Sequence, residues 1–186
     1  MAFLSKYDLE SIGFKKLGKN VLISDKASFY GFENIEIGDN VRIDDFCILS
    51  GSSKGIWIGN NVHIASYSSL IGKENITMDD FSGLSSRVSI YSSTDDYSGD
   101  FLTNPTVPEE FTNVISNPVY LGKHVIVGSN SVILPGVKLS DGVAVGSLSL
   151  VNKSFEEFKL IAGIPAKIVK DRSKKLLNLE CKLKKK

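Results

Sequence analysis

Every sixth residue over long stretches of this chain is aliphatic, and few folds tolerate that rhythm. From Ile37 the sequence reads Ile-Gly-Asp-Asn-Val-Arg, Ile-Asp-Asp-Phe-Cys-Ile, Leu-Ser-Gly. The register resumes at Ile58 with Ile-Gly-Asn-Asn-Val-His, Ile-Ala-Ser-Tyr-Ser-Ser, Leu, and returns at Met78, Leu84 and Ile90. It runs again from Leu121 through Val127, Ile133, Leu139 and Val145 to Val151. The second position is often glycine (Gly38, Gly59, Gly122, Gly128, Gly146) and the fifth is small or valine, as in Val41, Cys47, Ser68, Ser82 and Val88. An amphipathic strand alternates with period two and has no glycine every six residues. A helix needs a period of 3.6, which is not supplied. A period of six with an inward aliphatic and a tight corner describes a β-solenoid. Each hexad is one short strand and a turn, three hexads close a triangular coil, and coils stack at about 4.8 Å. Nearly all of these residues are therefore core.

Composition agrees. The chain of 186 residues has 25 Ser, 16 Gly, 18 Ile and 15 Val against 6 Ala, a balance that favours strands and tight turns over helices. Residues Tyr97 to Asn117 break the register, carry two prolines, and are read as a long inserted loop, a kind of segment that is more often functional than not. Ser52 to Trp57 reads as a short corner bulge. Ser5-Lys-Tyr-Asp8 has the form of a capping box before a short helix ending near Gly13. The expected organisation is one domain spanning 1–186. A cap covers 1–16, a parallel β-helix with the inserted loop 97–117 covers 17–151, and a C-terminal cap with a helical basic tail covers 152–186.

These hexads, with Ile133-Leu-Pro-Gly-Val and the closing Ala162-Gly-Ile-Pro-Ala-Lys-Ile-Val, resemble the hexapeptide-repeat acyltransferases. The nearest branch holds the galactoside, maltose and xenobiotic acetyltransferases and the acetyltransferases of bacterial surface polysaccharides. The resemblance covers roughly 17–170. It implies a left-handed parallel β-helix, a homotrimer with sites between subunits, and acetyl-CoA as co-substrate. In that family the pantetheine arm lies beside small residues, and the matching positions are Gly128, Ser129, Gly146 and Ser147. Asn152 and Lys153 match a Thr-Lys pair near the coenzyme, and Lys167 and Lys170 match the basic pair that faces its phosphates. Where the nearest branch has a catalytic His acting on the acceptor hydroxyl, this chain has Asp95. An ordinary aspartate, with a pKa of about 3.9, is a feeble base for an alcohol, but it can orient a hydroxyl or bind an ammonium. His124, two residues before a position that borders the coenzyme in the family, is the second catalytic candidate.

The expected function is acetyl transfer from acetyl-CoA to a sugar hydroxyl, in surface-polysaccharide biosynthesis. The alternative is N-acetylation of a nucleotide-linked amino sugar, since a deprotonated amine needs less help from a base than an alcohol does. A second alternative is an inactive solenoid scaffold. A zinc hydratase on the same solenoid needs three His ligands per metal, and the chain has only His63 and His124, so no metal is expected.

A formal net charge of +1 argues against nucleic acid as the main partner. The charge is concentrated: Lys170 to Lys186 holds 8 basic and 2 acidic residues. This tail reads as a solvated helix, with membrane-surface contact as the minor alternative; Leu176, Leu179 and Leu183 fit one helical stripe. Two cysteines make no disulfide framework, and no apolar run is long enough to cross a membrane, so a cytoplasmic setting is expected.

Overall fold

The computed structural model describes residues 2–185. Met1 of the expected cap and Lys186 of the expected tail lie outside them. The chain winds into a triangular prism of three parallel sheets, one strand per sheet per coil. The first sheet contains Ile35–Ile37, Ile56–Ile58, Ile76–Met78 and Val119–Leu121; the second Arg42–Ile43, His63–Ile64, Gly83–Leu84 and Ile126–Val127; the third Ile48–Ser50, Ser69–Ile71, Ser89–Tyr91 and Val132–Ile133. The hexapeptide solenoid read from the sequence is thus the fold. Its register begins one coil before Ile37, at Leu17 and Ile23.

First-position aliphatics form the core: Ile37, Ile43, Leu49, Ile64, Leu70, Met78, Ile90, Leu121, Val127, Ile133, Leu139 and Val151 are all fully buried. Each such side chain contributes about 1.5–3 kcal/mol by leaving water. Fifth-position residues fill the narrow remainder; Cys47, Val88, Val125 and Ser131 are also fully buried. Burial raises the Cys47 thiol to about 11, so it stays protonated and inert. The second-position glycines are required by stacking. A Cβ on Gly38 would lie 2.6 Å from the Gly59 carbonyl oxygen, and one on Gly128 would lie 2.5 Å from the Ser147 nitrogen.

The fourth position carries a rule that the hexad reading did not contain. Asn40, Phe46, Asn61, Tyr67, Phe81, Arg87, His124, Asn130 and Leu148 all have positive φ. The left-handed conformation turns the corner, which suits Asn and strains bulkier residues.

The N-terminal cap is as expected. Ser5 and Asp8 form a capping box before helix α1 (Lys6–Ile12), and Gly13 closes it at φ 84°. At the other end, strands Lys159–Gly163 and Ala166–Asp171 pair antiparallel and finish the second sheet. Helix α2 (Leu176–Leu183) follows. Leu176 is half-buried, but Leu179 and Leu183 are exposed, so the leucine stripe does not dock within the chain. No helix among the described residues is long and apolar enough to cross a membrane.

Candidate active site

The edge between the third and first sheets is where the chain departs from eighteen residues per coil. Steps from Leu17 to Ile37, Ile58 and Met78 are 20, 21 and 20 residues. The extra residues all sit at this third edge, as a 3-10 turn at Phe32–Asn34, a turn at Ser52 to Gly55, and the segment 72–75. The expected bulge at Ser52 to Trp57 is one of this series. In the fourth coil the same edge expands into the long loop.

That loop leaves earlier than the broken register indicated. Ser93–Thr94, ahead of the expected 97–117, pairs antiparallel with Ile115–Ser116 near the end of it, and the two make a stem. Ser92 is fully buried and its hydroxyl donates to the Glu74 carbonyl at 2.6 Å, which fixes the exit. Asp95 follows the stem directly. It lines a cleft of about 620 Å³ between the loop (Asn104, Val107, Glu109, Thr112) and the solenoid edge (Ser50, Ile71, Lys73), a volume within the range of small-molecule sites. Lys73 Nζ reaches Glu109 Oε1 at 3.4 Å, joining solenoid to loop. The Asp95 carboxylate is half-buried and has no hydrogen bond or ion pair among the described residues. Its neighbour Asp96 is different: hydrogen bonds from the Ser98 hydroxyl and amide and from Asn113 hold its carboxyl below the usual range.

A second feature lies on the outer face of the second sheet. Arg42, His63, Gly83, Ile126 and Ala144 stand in register, one per coil. At Gly83 this column opens into a depression of about 380 Å³, bounded by His63, Ala65, Ser85, Ser86, Ile126 and Ser129. Gly83 is unlike the stacking glycines. A Cβ there would meet only the His63 carbonyl oxygen, at 3.6 Å. The hydroxyls of Ser85, Ser86 and Ser129 have no partner among the described residues. On the wall, His63 Nε2 lies 2.8 Å from Asp44 Oδ2, and Arg42 Nε lies 2.7 Å from Asp44 Oδ1. The sequence reading passed over Gly83, Ser85 and the His63–Asp44 pair. The available signal was Gly83 itself, the one glycine at a sixth hexad position.

The residues singled out from the sequence are distributed over all three edges. Gly128, Ser129, Gly146 and Ser147 stack along the second edge, beside the depression. Lys167 and Lys170 are exposed on the strand that ends the second sheet, opposite Ala162 and Leu160. Asn152 and Lys153 are exposed at the third edge, beyond the last coil. Asp95 is also on the third edge, across the prism from the second sheet. His124 is on the first edge, and it is engaged. Its ring stacks on Phe81 at 5.0 Å, its Nε2 lies 2.7 Å from Glu180 Oε2, and its carbonyl accepts from Arg172 Nη1 at 2.9 Å. Hydrogen bonds from Lys184 and His124 keep the Glu180 carboxyl below its ordinary value. His124 thereby ties α2 to the solenoid. The chain by itself does not bring Asp95, His124 and the second-edge residues together. Among the described residues, no group of three or more His, Cys, Asp or Glu is placed to hold a metal ion.

No protein-family model matches the chain. It is 55% identical over 180 residues to the dTDP-4-amino-4,6-dideoxy-D-glucose acyltransferase of Escherichia coli, covering 97% of this chain and 94% of that one. It is 33% identical to WbbJ of Escherichia coli K12, a putative lipopolysaccharide biosynthesis O-acetyl transferase, covering 74% and 69% of the two chains. The structure superimposes with a TM-score of 0.95 on AntD, an N-acyltransferase from Bacillus cereus solved with dTDP and 3-hydroxybutyryl-CoA; identity is 47% over 98% and 96% of the two chains. An AntD variant solved with dTDP-4-amino-4,6-dideoxyglucose and coenzyme A matches as well, with a TM-score of 0.95 and 46% identity over 98% and 97% of the chains.

Proposed function

The chain belongs to the hexapeptide-repeat sugar acyltransferases, and on that premise we propose that it transfers an acyl group from acyl-coenzyme A to the amine of a dTDP-linked 4-amino-4,6-dideoxy sugar, forming an amide. The observation that carries this reading is near-full-length identity of 55% to an enzyme named for that acceptor. It replaces the expectation of a sugar hydroxyl as acceptor. With enzymes of this kind along its whole length, the scaffold reading also gives way.

The chemistry of the site agrees. An alcohol needs a strong base before it attacks a thioester, and the usual His is replaced by Asp95. An amine needs only to lose one proton and be aimed. A carboxylate without a partner among the described residues, half-buried beside a cleft, suits an ammonium better than a hydroxyl, because the charge-assisted contact is about twice as strong as a neutral one.

We read the functional unit as a homotrimer. In one subunit the loop with Asp95 and the face with Ser85 and Ser129 point away from each other across the prism. A three-fold assembly lets the loop of one subunit cover the second sheet of its neighbour. The coenzyme arm then runs past Gly128, Ser129, Gly146 and Ser147. Lys167 and Lys170 meet its phosphates, and Asn152 and Lys153 also lie near the coenzyme. His124, held by Glu180, keeps α2 in place rather than meeting the acceptor. An acylated nucleotide sugar is an activated monomer, and use in surface-polysaccharide biosynthesis in the cytoplasm fits this reading.

The test is thiol release from acetyl-CoA and 3-hydroxybutyryl-CoA with a panel of nucleotide sugars. dTDP-4-amino-4,6-dideoxyglucose should turn over at least about a hundredfold faster than dTDP-glucose, the scale on which a site built for a polar group rejects an analogue lacking it. Equal rates with the two would contradict the amine reading.

A further inference from the structure

The proposed reaction needs a group to take a proton from the acceptor ammonium, since only the neutral amine has a lone pair to attack with. We propose that His63 is that group and that Asp44 is the residue that positions it; this inference rests on the amine reading above.

The geometry is that of a carboxylate–imidazole pair at the wall of a vacant depression. Asp44 is 5% exposed and both its oxygens are committed, Oδ1 to Arg42 Nε at 2.7 Å and Oδ2 to His63 Nε2 at 2.8 Å. Burial pushes the Asp44 carboxyl upward, but hydrogen bonds from Arg42 and His63 outweigh it and hold the group below its ordinary value. Asp44 therefore only accepts, so Nε2 carries the hydrogen and Nδ1 carries the lone pair. A half-exposed histidine fixed in this way is a base with a set tautomer and orientation.

The surroundings fit an acceptor amine. Among the described residues, the charged groups on the Asp44 side of His63 come from the preceding coil: Asp44, which bonds His63, and Arg42, which bonds Asp44. The following coil presents Gly83, Ser85 and Ser86, with no charge, and the next presents Ile126. Gly83 leaves space that neither its backbone conformation nor coil stacking requires. The hydroxyls of Ser85 and Ser129, without a partner among the described residues, can meet a sugar or a thioester oxygen. Ser129 also belongs to the edge along which the coenzyme arm is proposed to run. Base, space and thioester thus converge on one coil.

The step balances. The ammonium gives one proton to His63 Nδ1. The amine nitrogen attacks the thioester carbon, the C–N bond forms, and the C–S bond breaks. The thiolate leaves with the electron pair and takes the second N–H proton. The imidazolium returns its proton to solvent. Ammonium and thioester become amide, thiol and one proton.

The full-length protein and its His63→Asn and Asp44→Asn variants should be compared with dTDP-4-amino-4,6-dideoxyglucose and acetyl-CoA as a function of pH. Wild type should show an acidic limb in kcat/KM that His63 imposes. His63→Asn should lower kcat/KM by about 10²–10⁴ and remove that limb, leaving a rate that rises with deprotonation of the amine itself. Its melting temperature and coenzyme A affinity should match wild type, because the side chain is half-exposed. Asp44→Asn should reduce the rate less than His63→Asn does, because the imidazole loses its fixed tautomer and orientation but keeps its basic nitrogen, and Asp44→Glu, which keeps a carboxylate, should recover part of that loss. An unmoved rate and pH profile in His63→Asn, with active wild type, would overturn this inference alone. A wild type that acylates no amino sugar would overturn the acceptor reading and this inference with it.

Discussion

Two glycines should respond to the same substitution in opposite ways. At Gly128, an added Cβ would lie 2.5 Å from the Ser147 nitrogen, 2.8 Å from its hydroxyl and 2.9 Å from the Gly146 carbonyl carbon. Backbone of the next coil cannot move aside without breaking register, so Gly128→Ala should cost about 1–3 kcal/mol as overpacking does. At Gly83, the nearest atom to the new methyl is the His63 carbonyl oxygen at 3.6 Å, ordinary contact, and φ is not in the left-handed region. There the restriction of the unfolded chain dominates, and Gly83→Ala should stabilise by about 0.4–1 kcal/mol. For a chain of this size 1 kcal/mol is about 2–4 °C, so the two variants should differ by several degrees in a thermal melt. Activity should cut across stability. Gly83→Ala puts a methyl in the depression beside His63 and should lower kcat/KM for the acceptor by about tenfold or more, on the scale at which small displacements disturb a reacting pair. Gly83→Val should lower it further while still folding. If Gly83→Ala melts as low as Gly128→Ala, the stacking argument fails. If it is stable and fully active, the depression is not the acceptor site.

Other consequences concern the loop, the coenzyme and the assembly. Asp95→Asn keeps shape and removes charge, so the acceptor KM should rise and kcat fall by at least about tenfold while coenzyme affinity holds; an unchanged acceptor KM and kcat would remove Asp95 from the site. If Lys167 or Lys170 meets the ribose 3′-phosphate, a charge-assisted contact of about 1.5–3 kcal/mol is at stake, so 3′-dephospho-coenzyme A should bind wild type about tenfold or more weakly. The alanine variant of the responsible lysine should no longer distinguish the two coenzymes, and equal discrimination in both variants would place the phosphate elsewhere. Sedimentation should give three times the 20.3 kDa chain mass. Mixing Asp95→Asn with His63→Asn subunits should restore activity, because a loop from one and a face from the other make an intact site; no recovery on co-refolding would refute the shared site.

Much of the architecture was legible because a hexad repeat assigns each residue an inward, corner or outward position. Ile64, Leu84 and Val127 were core on pattern alone and are buried, and the cap at Ser5 to Gly13 follows from local chemistry. The repeat also marked the loop, though not its stem at Ser93–Thr94, because a two-residue antiparallel pair has no periodicity to read. The site was less legible for a geometric reason. Position within a hexad tells which way a side chain points, but which residues share a face depends on coil length, and the third edge adds residues unevenly. Arg42, Asp44, His63 and Gly83 come from three successive coils and meet only once these are stacked. Glycine also had two meanings. At Gly128 the next coil stands where a side chain would be, whereas at Gly83 that space is open. His124 was a candidate by proximity to the coenzyme edge, and its bond to Glu180 depends on where α2 folds back, which no local pattern encodes.

The central claim is that this enzyme acylates nitrogen on a dTDP-linked amino sugar, and a competition measured by mass spectrometry tests it most directly. Wild type is given acetyl-CoA with equal amounts of dTDP-4-amino-4,6-dideoxyglucose and dTDP-6-deoxyglucose, which carries a hydroxyl where the first has its amine. The account predicts a single acetylated product derived from the amino sugar, stable to mild alkaline hydroxylamine as an amide is. Acetylation of the hydroxyl sugar to a comparable extent, or a product cleaved by hydroxylamine, would contradict it.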